Sequence, residues 1–111
     1  MEFNSKSPIY LQIYDLVCEW IIKGKYYPGA RLPSVRELSE SLGVNPNTVA
    51  RAYERLTSKG VIYNKRGKGY FLSLNASVKI KEEEKRKFIE EELPAFVERA
   101  QLLGINLGEL I

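Results

Sequence analysis

The stretch SVRELSESLGVNPNTVARAYERLTSKG, Ser34–Gly60, decides the fold. Its first serine, followed three residues later by Glu37, is a capping box that begins a helix, and Gly43 is a typical helix stop. Asn45 and Pro46 then begin a second helix, which the glycine at the end of the stretch terminates. Two short helices joined by so tight a turn predict a helix-turn-helix.

A spacing of about 100° per residue divides the second helix into two faces. The apolar face holds Val49, Ala52, Tyr53 and Leu56. The exposed face holds Asn47, Arg51, Glu54, Arg55 and Ser58, with Thr48 and Ala50 on its flanks. Amide, hydroxyl and guanidinium groups near a helix start can contact base edges and phosphates, and we expect free backbone N–H groups beside them. An ordinary solvated surface is the alternative.

A first helix is predicted from Pro8 to Lys23, with Ser7 as its N-cap and Gly24 as its stop. Its apolar face consists of Ile9, Ile13, Leu16, Val17, Trp20 and Ile21. The helix that begins at Ser34 is expected to bury Val35, Leu38 and Leu42. Two aromatic residues of the first helix, Tyr10 and Tyr14, lie off its apolar face, and we expect them to cover a neighbouring element.

Beyond residue 60 the pattern changes from helical to extended. The β-prone runs VIY (61–63) and YFL (70–72) flank NKRGKG (64–69), which predicts a two-stranded hairpin. Arg31 and Leu32 are expected to add a very short third strand. The fold class is therefore mainly α with a small β-hairpin, a winged helix-turn-helix followed by a short helical segment.

The hairpin tip is basic, since it carries Lys65, Arg66 and Lys68. Gly67 and Gly69 allow backbone conformations that would let the tip approach a narrow groove closely. These features predict a nucleic-acid contact at the tip, and solubilising charge on a loop is the alternative.

Arg36 occupies the second position of its helix, where the helix dipole disfavours a positive charge. An ion pair with Glu40, four residues further on, is the alternative role, but such a pair contributes only about 0.2–0.5 kcal/mol. We therefore predict that Arg36 contacts a phosphate or a base.

The composition argues against an enzyme, a metal site and a cofactor. The chain of 111 residues has no histidine and one cysteine, Cys18, whose apolar neighbours predict a buried thiol. No apolar run is long enough to span a membrane, and the first ten residues do not resemble a secretory signal, so we expect a cytoplasmic protein. The glutamate runs 82–84 and 90–92 are read as solvated helix surface rather than as a carboxylate site.

The charge is unevenly spread along the chain. Residues 1–75 hold eleven Lys or Arg against six Asp or Glu, whereas residues 76–111 hold six against eight. A basic front indicates a polyanionic partner. We predict a winged-helix DNA-binding domain at 1–75 and a helical dimerisation tail at 76–111.

The winged-helix domain of GntR-family bacterial transcription regulators resembles LPSVRELSESLGVNPNTVARAYERLTSKGVIYNKRGKGYFL, Leu32–Leu72. The family's first helix is similar to SPIYLQIYDLVCEWIIKGKYYPGARLPS, which begins at Ser7. Within the family, VNPNTV and the short remaining tail resemble the YtrA-type branch. The resemblance implies that Arg36, Gly67 and Gly69 belong to the DNA contacts.

Other branches of the family often carry arginine where this sequence has Pro46 and Ala50. We therefore assign base reading to Asn47, Thr48 and Arg51. The full set of predicted DNA-contacting residues is Arg36, Asn47, Thr48, Arg51, Arg55, Lys65, Arg66, Gly67, Lys68 and Gly69.

The tail, 76–111, is too short for a separate effector-binding domain. Its apolar stripe consists of Ile89, Leu93, Phe96, Val97, Ala100 and Leu103. KEEEKRK (81–87) is predicted as a solvated helix start, Pro94 as a kink or break, and Gly104 as a stop. Asn106, together with Glu109, is expected to cap a last short helix. Because the tail cannot bury its own stripe, we expect a second copy to cover it in a twofold homodimer. Folding back onto the winged helix is the alternative.

The sequence thus predicts a dimeric repressor that binds a near-palindromic double-stranded DNA operator through helix 46–59 and wing 64–69. A small-molecule effector stays open. The alternative function is a winged-helix module that binds a protein partner through the same face without reading DNA.

Overall fold

The structure is a computed structural model that describes residues 3–111. Its elements in chain order are α1 (Ile9–Ile22), α2 (Val35–Leu42), α3 (Pro46–Ser58), β1 (Ile62–Lys65), β2 (Gly69–Leu72), α4 (Ala76–Lys87), a π-helical segment (Phe88–Glu92), α5 (Leu93–Leu102) and α6 (Leu107–Leu110). The chain forms two compact units, one ending at Ile80 and one spanning Lys81–Ile111. No helix in the described part of the chain is long and apolar enough to cross a membrane.

Helix α3 supplies the centre of the first unit's core. Its predicted apolar face is confirmed, because Val49, Ala52, Tyr53 and Leu56 are all fully buried. Leu38 of α2 is buried beside them, while Val35 and Leu42 pack at the edge of the same cluster. The second helix of the helix-turn-helix is thus held by one face, which leaves the other face exposed.

Helix α1 packs on α3 through Ile13, Val17 and Ile21, which are buried. The prediction that Ile9 belongs to this face is wrong, since its side chain is 44% exposed. Ile9 begins the helix and lies a full turn before Ile13, the first residue to reach the core. The thiol of Cys18 is buried, as predicted.

The predicted N-cap of α1 is also wrong. Pro8, not Ser7, occupies the N-cap position, and no side chain caps the helix there. Instead, the Gln12 amide donates hydrogen bonds to the backbone oxygens of Asn4 and Ser7, at 2.8 and 2.9 Å. Its own oxygen accepts from the Asn4 N–H at 3.1 Å. The segment before α1 is therefore fixed by a glutamine one turn inside the helix.

Strands β1 and β2 form an antiparallel hairpin that ends with Lys65 opposite Gly69. The expected third strand is present as a single bridge between Arg31 and Phe71. Leu32 extends it through its N–H, which donates to the Tyr70 oxygen at 2.8 Å. This bridge connects the hairpin to the chain segment immediately before α2.

Helix α4 begins at Ala76, so the prediction that KEEEKRK (81–87) is a helix start is wrong. The helix begins earlier because Ala76 and Ile80 are buried in the core of the first unit. The predicted domain boundary between residues 75 and 76 precedes both of these side chains. In the second unit, the guanidinium of Arg86 bonds the Glu83 carboxylate at 2.9 Å and that of Glu90 at 2.7 Å.

Pro94 was expected to kink or break the tail. The α-helical hydrogen-bond pattern is interrupted before it, where the Leu93 N–H donates to the Phe88 oxygen five residues back. Proline lacks an N–H, and its ring would clash with the carbonyl four residues earlier in an α-helix, so the wider π turn fits it. The helical path continues as α5.

Beyond α5 the predicted stop and cap are both found. Gly104 has a φ of +70°, and the Ile105 N–H donates back to the Ala100 oxygen at 2.9 Å. The Asn106 side chain accepts from the Gly108 N–H at 3.0 Å and begins α6. The Glu109 N–H donates to the Asn106 backbone oxygen at 3.2 Å, but among residues 3–111 its side chain makes no cap contact.

Candidate nucleic-acid interface

The turn between α2 and α3 is held by backbone geometry. Gly43 has a φ of +67°, and the N–H of Val44 donates to the Ser39 oxygen at 3.0 Å. A side chain at Gly43 would be strained in this left-handed conformation. The turn therefore fixes where the exposed face of α3 begins.

The first turn of α3 does not have the free backbone N–H groups that we expected. Pro46 has none, and the Asn47 N–H donates to the Asn45 side chain at 2.8 Å. The N–H groups of Thr48 and Val49 both donate to the Asn45 backbone oxygen. Because capping uses these donors, any ligand contact at this end depends on side chains.

The exposed face of α3 carries the predicted side chains. Asn47, Arg51 and Arg55 are exposed, and Thr48 is half-buried at the edge of this face. Within residues 3–111 no carboxylate lies within ion-pair distance of Arg51 or Arg55. This face therefore presents two guanidinium groups that form no ion pair.

Two tyrosines of α1 contact these arginines. The Arg51 guanidinium carbon lies 4.0 Å from the Tyr10 ring centroid, and that of Arg55 lies 5.1 Å from the Tyr14 centroid. Burial is the main cause that raises the pKa of Tyr14 to about 12. The expectation that Tyr10 and Tyr14 cover a neighbouring element is confirmed, and that element is α3.

Arg36 lies exposed at the second position of α2. The alternative ion pair with Glu40 is not formed, and no other carboxylate in the described chain pairs with Arg36. The predicted capping box is confirmed, since Ser34 and Glu37 bond each other's backbone N–H at 3.0 Å. The bond from the Ser34 N–H is the main cause that lowers the pKa of the Glu37 carboxyl, because it favours the ionised form.

The basic residues of the wing lie in two places, in the turn and at the end of β1. Arg66 and Lys68 lie in the turn, together with Gly67 at a φ of +76°. Lys65 is the last residue of β1, and its ammonium lies 4.9 Å from the Phe71 ring centroid on the opposite strand. Gly69 begins β2 with a φ of +111°. The turn itself therefore presents two cations.

Arg31 is a residue of this region whose role the sequence analysis missed. Its Nε donates to the Lys68 backbone oxygen at 3.3 Å, and its Nη2 lies 3.8 Å from a Glu37 carboxylate oxygen. One side chain thus connects the wing turn with the first turn of α2. The sequence did contain a signal for this role, because the short strand predicted at Arg31 places that residue beside the hairpin.

The predicted apolar stripe of the tail lies in the second unit. Ile89, Phe96 and Leu103 are each 60% exposed and Leu93 is 41% exposed, whereas Val97 is half-buried and Ala100 is buried. Phe88, 52% exposed, was missed. In the π turn Phe88 lies one turn before Leu93, although α-helical spacing would place it on another side. The stripe is thus largely open to solvent.

A tight α2–α3 turn, an α3 with one buried and one polar face, and a hairpin with a basic turn define a winged-helix protein of the helix-turn-helix class. The sequence model of the bacterial regulatory proteins of the gntR family matches residues 9–72. This match spans more than half of the 111 residues, and the chain belongs to the GntR family.

Known proteins resemble the chain over almost its whole length. It is 41% identical over 107 residues to the HTH-type transcriptional repressor YtrA of Bacillus subtilis (strain 168), covering 96% of this chain and 82% of YtrA. A GntR family transcriptional regulator from Listeria monocytogenes has a TM-score of 0.82 at 34% identity, covering 97% of this chain and 93% of that one. These similarities confirm the predicted fold class and family.

A further similarity, which covers less of this chain, is to a protein solved in complex with DNA. The DNA-binding domain of AraR in complex with operator ORR3 has a TM-score of 0.60 at 30% identity, covering 66% of this chain and 88% of that domain.

Proposed function

We propose that this protein is a cytoplasmic, dimeric transcriptional repressor that binds a near-palindromic DNA operator, without enzymatic activity. Family membership supports a role in transcriptional regulation. The similarity to YtrA, which is a repressor, supports repression rather than activation. The AraR domain, which was solved on its operator, supports DNA as the ligand of the winged helix.

The observation that carries the proposal is a set of exposed cations without carboxylate partners on three elements of the first unit. They are Arg36 on α2, Arg51 and Arg55 on α3, and Arg66 and Lys68 on the wing. Among residues 3–111, none of them forms an ion pair. Phosphates would supply the missing counter-charge, with release of condensed cations from the DNA.

Within this surface we assign base reading to the exposed face of α3. A guanidinium such as that of Arg51 pairs with the major-groove edge of guanine, and an amide such as that of Asn47 pairs with adenine. Thr48, at the edge of the same face, suits a phosphate or a thymine methyl. We assign Arg36 and the cations of the wing turn to the DNA backbone, where they would fix the position of the protein.

The proposal is tested by selecting duplexes that the protein retains from a random-sequence library and by comparing two variants on the selected duplex. Arg51→Ala should weaken binding by about 1–3 kcal/mol and relax the preference at one base position, because a bidentate base contact is lost. Arg99→Ala in α5 is the matched control, since it removes the same exposed charge outside the winged helix.

Three results would contradict the proposal. A selection that enriches no sequence would remove sequence-specific reading. Equal affinities of Arg51→Ala and the parent protein would remove Arg51 from the base-reading surface. Failure to bind any duplex at low salt would favour the alternative of a module that binds a protein partner through this face.

We further propose that a second copy of the chain covers the apolar stripe of the second unit. The stripe exposes four large apolar side chains, which are Ile89, Leu93, Phe96 and Leu103. A twofold pairing would cover identical stripes with each other and would present two α3 helices to the two halves of an operator.

A further inference from the structure

Two arginine–tyrosine pairs connect α1 and α3. Tyr10 contacts Arg51 and Tyr14 contacts Arg55, at 4.0 and 5.1 Å between ring centroid and guanidinium carbon. Both tyrosines and both arginines are spaced by four residues, which is about one helical turn, and the pairs follow the same order along the two helices. The contacts therefore form a regular ladder at the border of the exposed α3 face.

The closer pair holds Arg51 without using its hydrogen-bond donors. A ring attracts the flat face of a guanidinium, whereas the five N–H groups point outward in the guanidinium plane. In the described chain no carboxylate pairs with Arg51 and no acceptor takes its side-chain N–H groups. Arg51 is thus restrained by Tyr10 while its hydrogen-bonding edge stays available.

We infer that Tyr10, a residue of α1 outside the helix-turn-helix, is a positioning residue for base reading by Arg51. An arginine side chain loses much rotational freedom when it is ordered on a ligand, and a ring that already holds it in the free protein reduces this loss on binding. Selectivity for the operator over random DNA therefore rests in part on α1. This inference rests on the proposed function, because it requires that Arg51 contact the operator.

Arg55 is the weaker candidate for the same role. Its guanidinium lies further from the Tyr14 ring than that of Arg51 does from the Tyr10 ring. Arg55 also lies one turn after Arg51, further from the N-terminus of α3. The N-terminal residues of a recognition helix contact base edges most directly. The prediction is therefore made for Tyr10 and not for Tyr14.

The test measures binding of the full chain to two duplexes of equal length: the selected duplex and a scrambled version of it. Tyr10→Leu removes the aromatic face but keeps apolar bulk, and it should weaken binding to the selected duplex by about two- to fivefold. Binding to the scrambled duplex should change less. The salt dependence of binding should stay the same, since no charge is removed. Tyr10→Phe keeps the ring and should behave as the parent protein.

A double-mutant cycle shows whether Tyr10 acts through Arg51. In the Arg51→Ala background, Tyr10→Leu should have no effect on binding to the selected duplex. An undiminished loss in that background would overturn the inference, because Tyr10 would then act through the fold or by its own DNA contact. A loss with Tyr10→Phe would overturn it as well, since the hydroxyl rather than the ring would be responsible.

A measurement without DNA separates this inference from the proposed function. In the parent protein the Tyr10 ring should shift the NMR signals of the Arg51 side-chain protons, and Tyr10→Leu should remove this shift. If Arg51→Ala weakens binding but Tyr10→Leu changes neither the shift nor the affinity, only the positioning role fails. If Arg51→Ala leaves binding unchanged, the proposed function of Arg51 fails first.

Discussion

Tyr53 contacts several parts of the winged-helix unit through one fully buried side chain. Its hydroxyl donates to the Pro33 backbone oxygen at 2.7 Å, just before α2. Its ring packs edge-on against Tyr70 of β2, with centroids 4.9 Å apart. Burial raises the pKa of Tyr53 above its ordinary value, which favours the protonated hydroxyl that donates this bond. One side chain thus fixes α3 relative to both α2 and the wing.

Replacing this hydroxyl should destabilise the first unit. Tyr53→Phe leaves the Pro33 oxygen without its donor, so the free energy of unfolding should fall by about 1–3 kcal/mol. Urea unfolding followed by the fluorescence of Trp20, the one tryptophan of the chain, reports on this unit. Tyr27→Phe is the matched control, since Tyr27 is 75% exposed and its substitution should change stability by less than about 0.5 kcal/mol. Equal effects of the two variants would contradict the role of Tyr53.

At the scale of elements, the wing is positioned by contacts outside its own strands. Arg31 bonds the Lys68 oxygen in the turn, and the Leu72 N–H donates to the Ala30 oxygen at 2.8 Å. A β-carbon at Gly69 would lie 3.2 Å from the Arg31 Nε, closer than ordinary contact. At Gly67, by contrast, a β-carbon would meet nothing within 4 Å.

The two glycines therefore make a matched pair of variants. Gly67→Ala should cost only the left-handed backbone strain, about 1–2 kcal/mol. Gly69→Ala should cost more, because it is strained at a φ of +111° and also displaces Arg31. Amide hydrogen exchange at Leu72 and Leu32 measures how far the wing opens, and Gly69→Ala should accelerate it more than Gly67→Ala. Faster exchange in Gly67→Ala would show that Arg31 does not hold the wing.

The elements themselves could be predicted largely from local chemistry. The capping box at Ser34, the Asn45 cap and the positive-φ glycines each fix a helix end within a residue or two of its predicted place. The start of α4 could not be predicted in this way, because burial of Ala76 and Ile80 in the core decides it. The interruption at Pro94 was predicted. Its π-helical form was not, because it depends on the Leu93 N–H donating to the Phe88 oxygen five residues back.

For the candidate interface, sequence periodicity indicated which side chains of α3 are exposed but not what holds them. The contacts of Tyr10 with Arg51 and of Arg31 with Lys68 join residues 41 and 37 positions apart, respectively. Such contacts depend on how helices and strands pack, and no local pattern encodes them. Sequence patterns therefore predicted the candidate DNA-contacting residues, while the structure adds the residues that contact them.

At the scale of the whole molecule, the second unit leaves most of its apolar stripe exposed. Its helices expose Phe88, Ile89, Leu93, Phe96 and Leu103. Large exposed apolar surface on a small unit is typical of an interface between proteins. The proposed second copy would cover this surface, and the dimer would present two winged helices to two half-sites about 34–36 Å apart.

Two adjacent leucines provide a sharp test of this dimer. Leu103 belongs to the stripe, whereas Leu102 lies about 180° from Leu93 around the helix and is 79% exposed. Light scattering should give the parent protein and Leu102→Glu twice the chain mass of 12.7 kDa, and Leu103→Glu the single mass, because a charge inside the interface would lose its water. Leu103→Glu should also bind the selected duplex more weakly, while its binding to a single half-site stays unchanged, since only the linkage between two winged helices is lost. A parent protein of single mass, or a Leu103→Glu variant that remains dimeric, would show that the stripe does not join two copies.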